Sequence, residues 1–116
     1  MTYRLWLEMM LQGRYEVHTA DDGKAGVQAA LSVRPHLILL DVVMPETDGL
    51  AACRALRWHD ETRSTPIILV TTKNEEWDLE AGYAAGCTDY ITKPVDQLEF
   101  LAKVESWLEA AEEVGA

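Results

Sequence analysis

Two rhythms alternate along the chain. Apolar runs bounded by turn residues are separated by segments whose apolar positions recur every three or four residues. In Arg4–Gln12, Arg4, Glu8 and Gln12 form one polar stripe and apolar residues fill most of the rest, which predicts a helix buried on more than one side. Tyr15–Ala20 alternates with period two and predicts a strand at or near a sheet edge. Asp21-Asp22-Gly23 is turn chemistry, and Lys24–Val33 predicts a helix that Pro35 closes. His36–Asp41 and Pro66–Thr72 are continuous Ile/Leu/Val runs, the pattern of central parallel strands covered on both faces. Between them, Asp48–Trp58 predicts a helix with Leu50, Cys53, Ala55 and Leu56 inward, followed by a polar loop over His59–Thr65. Glu75–Ala85 predicts a helix capped by Gly86, and Asp89–Thr92 a short strand broken by Lys93-Pro94. Asp96–Glu112 is the last helix. Asp96 and Glu99 have capping-box spacing, and Leu98, Leu101, Val104 and Leu108 form the expected buried stripe. The order αβαβαβαβα implies an α/β fold with a parallel sheet and right-handed crossovers.

Composition narrows the function. The 116 residues fit one domain, 1–116, with one core. A net charge of −10 argues against nucleic acid or an anionic membrane as direct partner. No apolar run is long enough to span a bilayer, and the N-terminus has no signal-peptide pattern, so a cytoplasmic location is expected. Cys53 and Cys87 form neither a metal-like cluster nor C-x-x-C, which suits small residues of a reducing compartment. His18, His36 and His59 are scattered and suggest no catalytic triad.

In an open parallel sheet, ligand chemistry gathers beyond the carboxyl ends of the central strands. Asp41, Thr71 and Lys93 end three predicted strands. A carboxylate can attack a phosphoryl group, while a hydroxyl and an ammonium bind its oxygens. Taken by residue type alone, the three are equally readable as ordinary loop residues.

The motifs around them resemble a known family. Leu37-Ile-Leu-Leu-Asp41-Val-Val-Met-Pro45-Glu-Thr-Asp48-Gly49 is similar to the signature around the phosphorylated aspartate of response-regulator receiver domains. Ile67–Thr72 resembles the strand ending in the family's Ser/Thr, and Ala85–Pro94 the segment with its switch aromatic, lysine and proline. Tyr15-Glu-Val with Ala20–Gly23 resembles the second strand and its turn. The resemblance covers nearly all the chain from Arg4 on, and extends to the single-domain chemotaxis-type regulators. It implies a flavodoxin-like three-layer sandwich, with Asp41 accepting a phosphoryl group from a phosphohistidine on a histidine kinase or phosphotransfer protein. It implies Thr71 and Lys93 on the phosphoryl oxygens, Tyr90 and Thr71 as the switch, and Pro94 as a structural turn. The output would be contact with a downstream protein target. Such a protein is a regulator rather than an enzyme and at most assists its own phosphorylation and dephosphorylation.

One departure stands at the front. The family opens with an apolar strand followed by acidic residues that hold Mg²⁺. Here Met1 falls near the start of the first helix, so four strands are expected rather than the five of the order 2-1-3-4-5. Asp21-Asp22 sits where the family has turn and cap residues and is no substitute. The remaining Mg²⁺ ligands would be Asp41 and the Val43 carbonyl, a weak and incomplete site. Unpaired facing strand edges cost roughly 1–3 kcal/mol per unsatisfied buried group. Three remedies are open: Tyr15–Ala20 pairs directly with His36–Asp41, a homodimer forms by strand exchange or edge pairing, or the chain is part of a longer protein. The chain ends at Val114-Gly-Ala116, soon after the last helix, which suits a single-domain regulator or a piece of a larger one.

The chief competing reading is a phosphorylation-independent pseudo-receiver, a docking or dimerisation module using the surface that carries Trp77, Tyr83, Tyr90 and Trp107. An Asp-based phosphatase would place a second Asp where Val43 stands, and a flavin site would need a phosphate-binding loop after a first strand.

Overall fold

A computed structural model of the chain describes residues 9, 11–20, 23–41, 49–71, 76–92 and 95–115, with backbone alone at 41, 71, 76–79 and 110–115. The elements run α1 (Gly23–Val33), β1 (Ile38–Asp41), α2 (Gly49–Trp58), β2 (Ile67–Thr71), α3 (Glu76–Ala85), β3 (Asp89–Thr92) and α4 (Gln97–Gly115). The three strands form a parallel sheet in the order β1-β2-β3. Each crossover passes through a helix, as parallel pairing requires.

The continuous apolar run of β2 is buried on both faces because both are covered. Ile67 and Leu69 pack with Leu40 against Ala30 of α1, Ala52, Cys53 and Leu56 of α2, and Ala85 of α3. Ile68 and Val70 pack with Ile91 against Phe100 and Val104 of α4, together with Leu11 and Val95. Alternate residues of one strand thus serve opposite layers.

Local chemistry sets the element ends. Asp96 Oδ1 accepts from the Leu98 and Glu99 amides, so it caps α4 as its spacing predicts. Gly86 closes α3 with φ 107°, open to glycine and costly for other residues. Arg34 closes α1 at φ 54°, its amide bonded to the Ala30 carbonyl, before Pro35. Gly82 lets α3 approach β2, since a Cβ there would lie 2.9 Å from Leu69 Cδ1.

Three expectations need correction. Tyr15–Ala20 forms no strand: 16–20 carry neither helix nor strand, Val17 is 39% exposed, and His18 bonds its neighbour Glu16 in an exposed hydrogen bond. Period-two alternation makes an extended segment amphipathic, but a strand also needs a ladder partner. β1 pairs only with β2 among the described residues, so the sheet there has three strands rather than four, and the direct pairing of Tyr15–Ala20 with His36–Asp41 does not occur. Leu98 does not join the buried stripe of the last helix. It is 80% exposed on the first turn, and Phe100, two residues on, faces the core instead. The predicted Arg4–Gln12 helix lies mostly outside the described residues. Within it Met9 and Leu11 are helical and Leu11 is buried.

Candidate functional site

All three strands point the same way, so their carboxyl ends share one rim of the sheet. Asp41 closes β1 beside Val70, and Thr71 closes β2 beside Thr92. Asp41 and Thr71 therefore lie on adjacent strand ends, with Thr71 one residue, about 3.3 Å, further along. Thr92 is the last residue of β3, and Lys93 follows it in sequence. Sequence reasoning placed Asp41 and Thr71 at neighbouring strand ends, and the backbone register puts those two positions there. Val43, Lys93 and Pro94, with the rejected Asp21-Asp22, lie outside the described residues. No group of three or more His, Cys, Asp or Glu side chains among the described residues could hold a metal ion.

Tyr90 is described in full. It sits on β3 beside Leu69, half-buried against the layer formed by α1, α2 and α3. The Tyr83 ring of α3 meets it edge-on at 6.1 Å between centroids. From the other layer, Lys103 of α4 places its Nζ 5.1 Å from the ring centroid. The same ammonium donates to the Tyr90 carbonyl at 2.6 Å and to Asp89 Oδ1 at 3.2 Å. Asp89 Oδ2 accepts from Trp107 Nε1 at 3.0 Å, and Oδ1 also accepts from the Tyr90 amide at 2.8 Å. Burial pushes the Asp89 carboxyl up, but the bonds from Trp107, the Tyr90 amide and Lys103, with the Lys103 charge, outweigh it and hold its pKa below the ordinary value.

This cluster was not singled out from the sequence. A signal was present: Glu99, Lys103 and Trp107 recur every four residues, so an acid and two donors share one face of the last helix. Arg57 was missed as well. Its guanidinium donates to the carbonyls of Thr62, Arg63, Thr65 and Gly86 and to Thr88 Oγ1, joining α2 to the loop before β2 and the turn before β3. Thr88 Oγ1 also accepts from the Ile67 amide. These contacts belong to the framework at the amino ends of β2 and β3, away from the carboxyl-end rim.

Comparison with known proteins decides what the rim belongs to. The model of the response regulator receiver domain matches residues 2–105. The chain belongs to the response regulator receiver domain family. It is 43% identical over 94 residues to the response regulator ArlR of Staphylococcus saprophyticus, covering 81% of this chain and 41% of that protein. Among solved structures it is similar to a putative response regulator from Chloroflexus aurantiacus, with TM-score 0.86, 32% identity, and coverage of 91% of this chain and 88% of that one. It is also similar to the receiver domain of sensor histidine kinase PA1611 from Pseudomonas aeruginosa, described with a magnesium ion coordinated in the active site cleft. There the TM-score is 0.84 and the identity 32%, with 91% and 88% of the two chains covered. The flavodoxin-like receiver fold read from the sequence is the fold of these neighbours, and the receiver is the functional class, ahead of the docking-only alternative. Phosphorylation on aspartate is general in the family, receivers generally bind Mg²⁺ in the active site, and they interact with histidine kinases and downstream effectors. Members are regulators rather than classical enzymes. This receiver spans about two fifths of the length of ArlR. No helix among its described residues is long and apolar enough to cross a membrane.

Proposed function

We propose that this receiver accepts a phosphoryl group on Asp41 from a phosphohistidine of a partner kinase or phosphotransfer protein, and signals by protein contact. The supporting observation is the placement of Asp41 and Thr71 on adjacent carboxyl ends of the parallel sheet, in a chain matched to the receiver model over 2–105. A carboxylate oxygen of Asp41 attacks phosphorus. The P–O bond forms as the P–N bond breaks, and the leaving imidazole nitrogen keeps the electron pair and takes up a proton. The Thr71 hydroxyl and the Lys93 ammonium bind the phosphoryl oxygens as charge develops on them. Tyr90 reports the change by turning inward, and Pro94 holds the turn that follows Lys93. The setting is cytoplasmic.

By resemblance to the family, the Asp41 carboxylate and the Val43 carbonyl are the candidate donors to a Mg²⁺ ion, and the described residues add no cluster of three or more His, Cys, Asp or Glu. That set falls short of near-octahedral oxygen coordination for an ion that gives up water reluctantly, so it does not fit the ion well and Mg²⁺ binding is weak. Incubation with a small acyl phosphate and Mg²⁺, followed by intact mass, tests both points. The expected result is slow, incomplete gain of one phosphoryl group, lost in Asp41→Asn. Full phosphorylation at millimolar Mg²⁺ contradicts the weak-metal reading, and a gain retained in Asp41→Asn contradicts the acceptor. A homodimer through strand exchange or edge pairing would use the flank of β1, which has no ladder partner other than β2 among the described residues. Solution scattering from a compact monomer would exclude it.

A further inference from the structure

We propose that Lys103 is a positioning residue that couples the ring of Tyr90 to Trp107 through Asp89. The inference rests on Tyr90 being the switch residue for its regulatory meaning, but the coupling itself does not depend on phosphorylation.

The geometry is more specific than an ion pair needs. An ammonium has three donors and no acceptors. Lys103 directs them to the Asp89 carboxylate at 3.2 Å and the Tyr90 carbonyl at 2.6 Å, and lies 3.5 Å from Glu99 Oε1 one turn before it. The same charge lies 5.1 Å from the centroid of the Tyr90 ring, within the range at which a cation is attracted to an aromatic face. Its carboxylate partner is shared: Asp89 also receives the Trp107 indole at 3.0 Å. The Lys103 and Asp89 side chains are 26% and 21% exposed, so water screens the group only partly.

Movement of the Tyr90 ring would pass along these contacts in order. The main chain of β3 stays, pinned to β2 at Leu69. The ammonium loses the ring as a partner and redistributes between the carbonyl, Glu99 and Asp89. Asp89 then changes what it offers Trp107, one turn of α4 beyond Lys103. The ring position on one side of the sheet is thereby read on the helix that covers the other side. Tyr83, edge-on to Tyr90, bounds the ring from α3.

The test uses the indole N–H resonance of Trp107 in the full chain, assigned with Trp107→Phe. Tyr90→Leu is expected to shift that resonance in the native background. Lys103→Met is expected to abolish the response to Tyr90→Leu, and Lys103→Arg to retain it. The Trp58 indole, 77% exposed at the end of α2, should not move in any variant, and dispersed backbone amide resonances report an intact fold. Should Lys103→Met fail to fold, Lys103→Gln replaces it. A Trp107 resonance that ignores Tyr90→Leu, or that shifts equally with Lys103 absent, overturns the proposal. The acceptor reading is scored separately by intact mass. Phosphorylation on Asp41 with a Trp107 resonance that ignores Tyr90→Leu sinks the coupling and spares the acceptor. Absence of phosphorylation with the coupling present does the reverse.

Discussion

Arg57 Nε donates to the carbonyl of Gly86 at 2.8 Å, so one side chain of α2 caps the turn that ends α3. The approach is close enough that a Cβ on Gly86 would stand 2.6 Å from Arg57 Cγ. The backbone there, at φ 107°, is unfavourable for residues with a Cβ. Gly86→Ala therefore meets a strained dihedral and a clash together. A loss of about 1–3 kcal/mol is expected, read as a lower urea midpoint with an unchanged slope.

Arg57→Met should cost at least about 2 kcal/mol, because it leaves several half-buried main-chain carbonyls without their donor. Burial already presses the guanidinium pKa below its ordinary value, and its hydrogen-bond acceptors among the described residues are carbonyls and one hydroxyl. The carbonyls thus gain a charge-assisted bond. Arg57→Lys should recover less than half of the loss, since a point charge cannot span acceptors on both sides of a planar fork. Thermal melts of the two variants check this.

At the end of α1, a substitution should stabilise. Arg34 holds φ 54° at the position after the helix, its amide bonded to Ala30. Glycine takes that conformation without the penalty a Cβ brings. Arg34→Gly is expected to raise stability by about 0.5–1 kcal/mol, visible as a higher melting temperature.

Acid should weaken the tie between β3 and α4. The Asp89 carboxyl is held below its ordinary value of 3.8 in the fold, so the folded chain binds that proton less readily than the unfolded one. Its contribution is present above 3.8 and is lost as pH falls through the lower folded value. The stability gap between the native sequence and Asp89→Asn should be full at neutral pH and should shrink below pH 3.8, measured by denaturant midpoints across that range.

The cysteines should be inert in the fold. Burial pushes the Cys87 thiol up to about 11 and raises Cys53 as well, and both are buried. Since the thiolate is the nucleophile, neither should react with a thiol reagent at about pH 8 until the chain unfolds, when both should react. Counting modified thiols by mass in buffer and in denaturant checks it.

Much of the framework was legible in the sequence because burial writes itself into composition. Ile67–Val70 is apolar at every position since it faces two layers, and Asp41 and Thr71 stand out as polar residues closing such runs. Asp96 was legible as a cap because capping is local. Tyr15–Ala20 was not, because its alternation carries no information about a partner strand. Leu98 was assigned inward by spacing alone, but the first helical turn lies at the margin of the layer and Phe100 fills the core there. Arg57 left no trace because most of its acceptors are main-chain carbonyls, identical in every residue. Lys103 stood in the visible Glu99, Lys103, Trp107 spacing, but its partner Asp89 lies 14 residues before it and meets it only in space.

Lys103 has one more effect, on how the molecule meets its own copies. β3 is an outer strand of the described sheet, and an outer strand's carbonyls are where a stray strand from another chain would begin to add. At Tyr90 that carbonyl is already bonded to an ammonium whose charge is shared with Asp89. A newcomer would have to displace a cation held by a carboxylate, at a strand only four residues long. At that carbonyl the described edge of β3 is thereby less open to the addition of a strand from another chain.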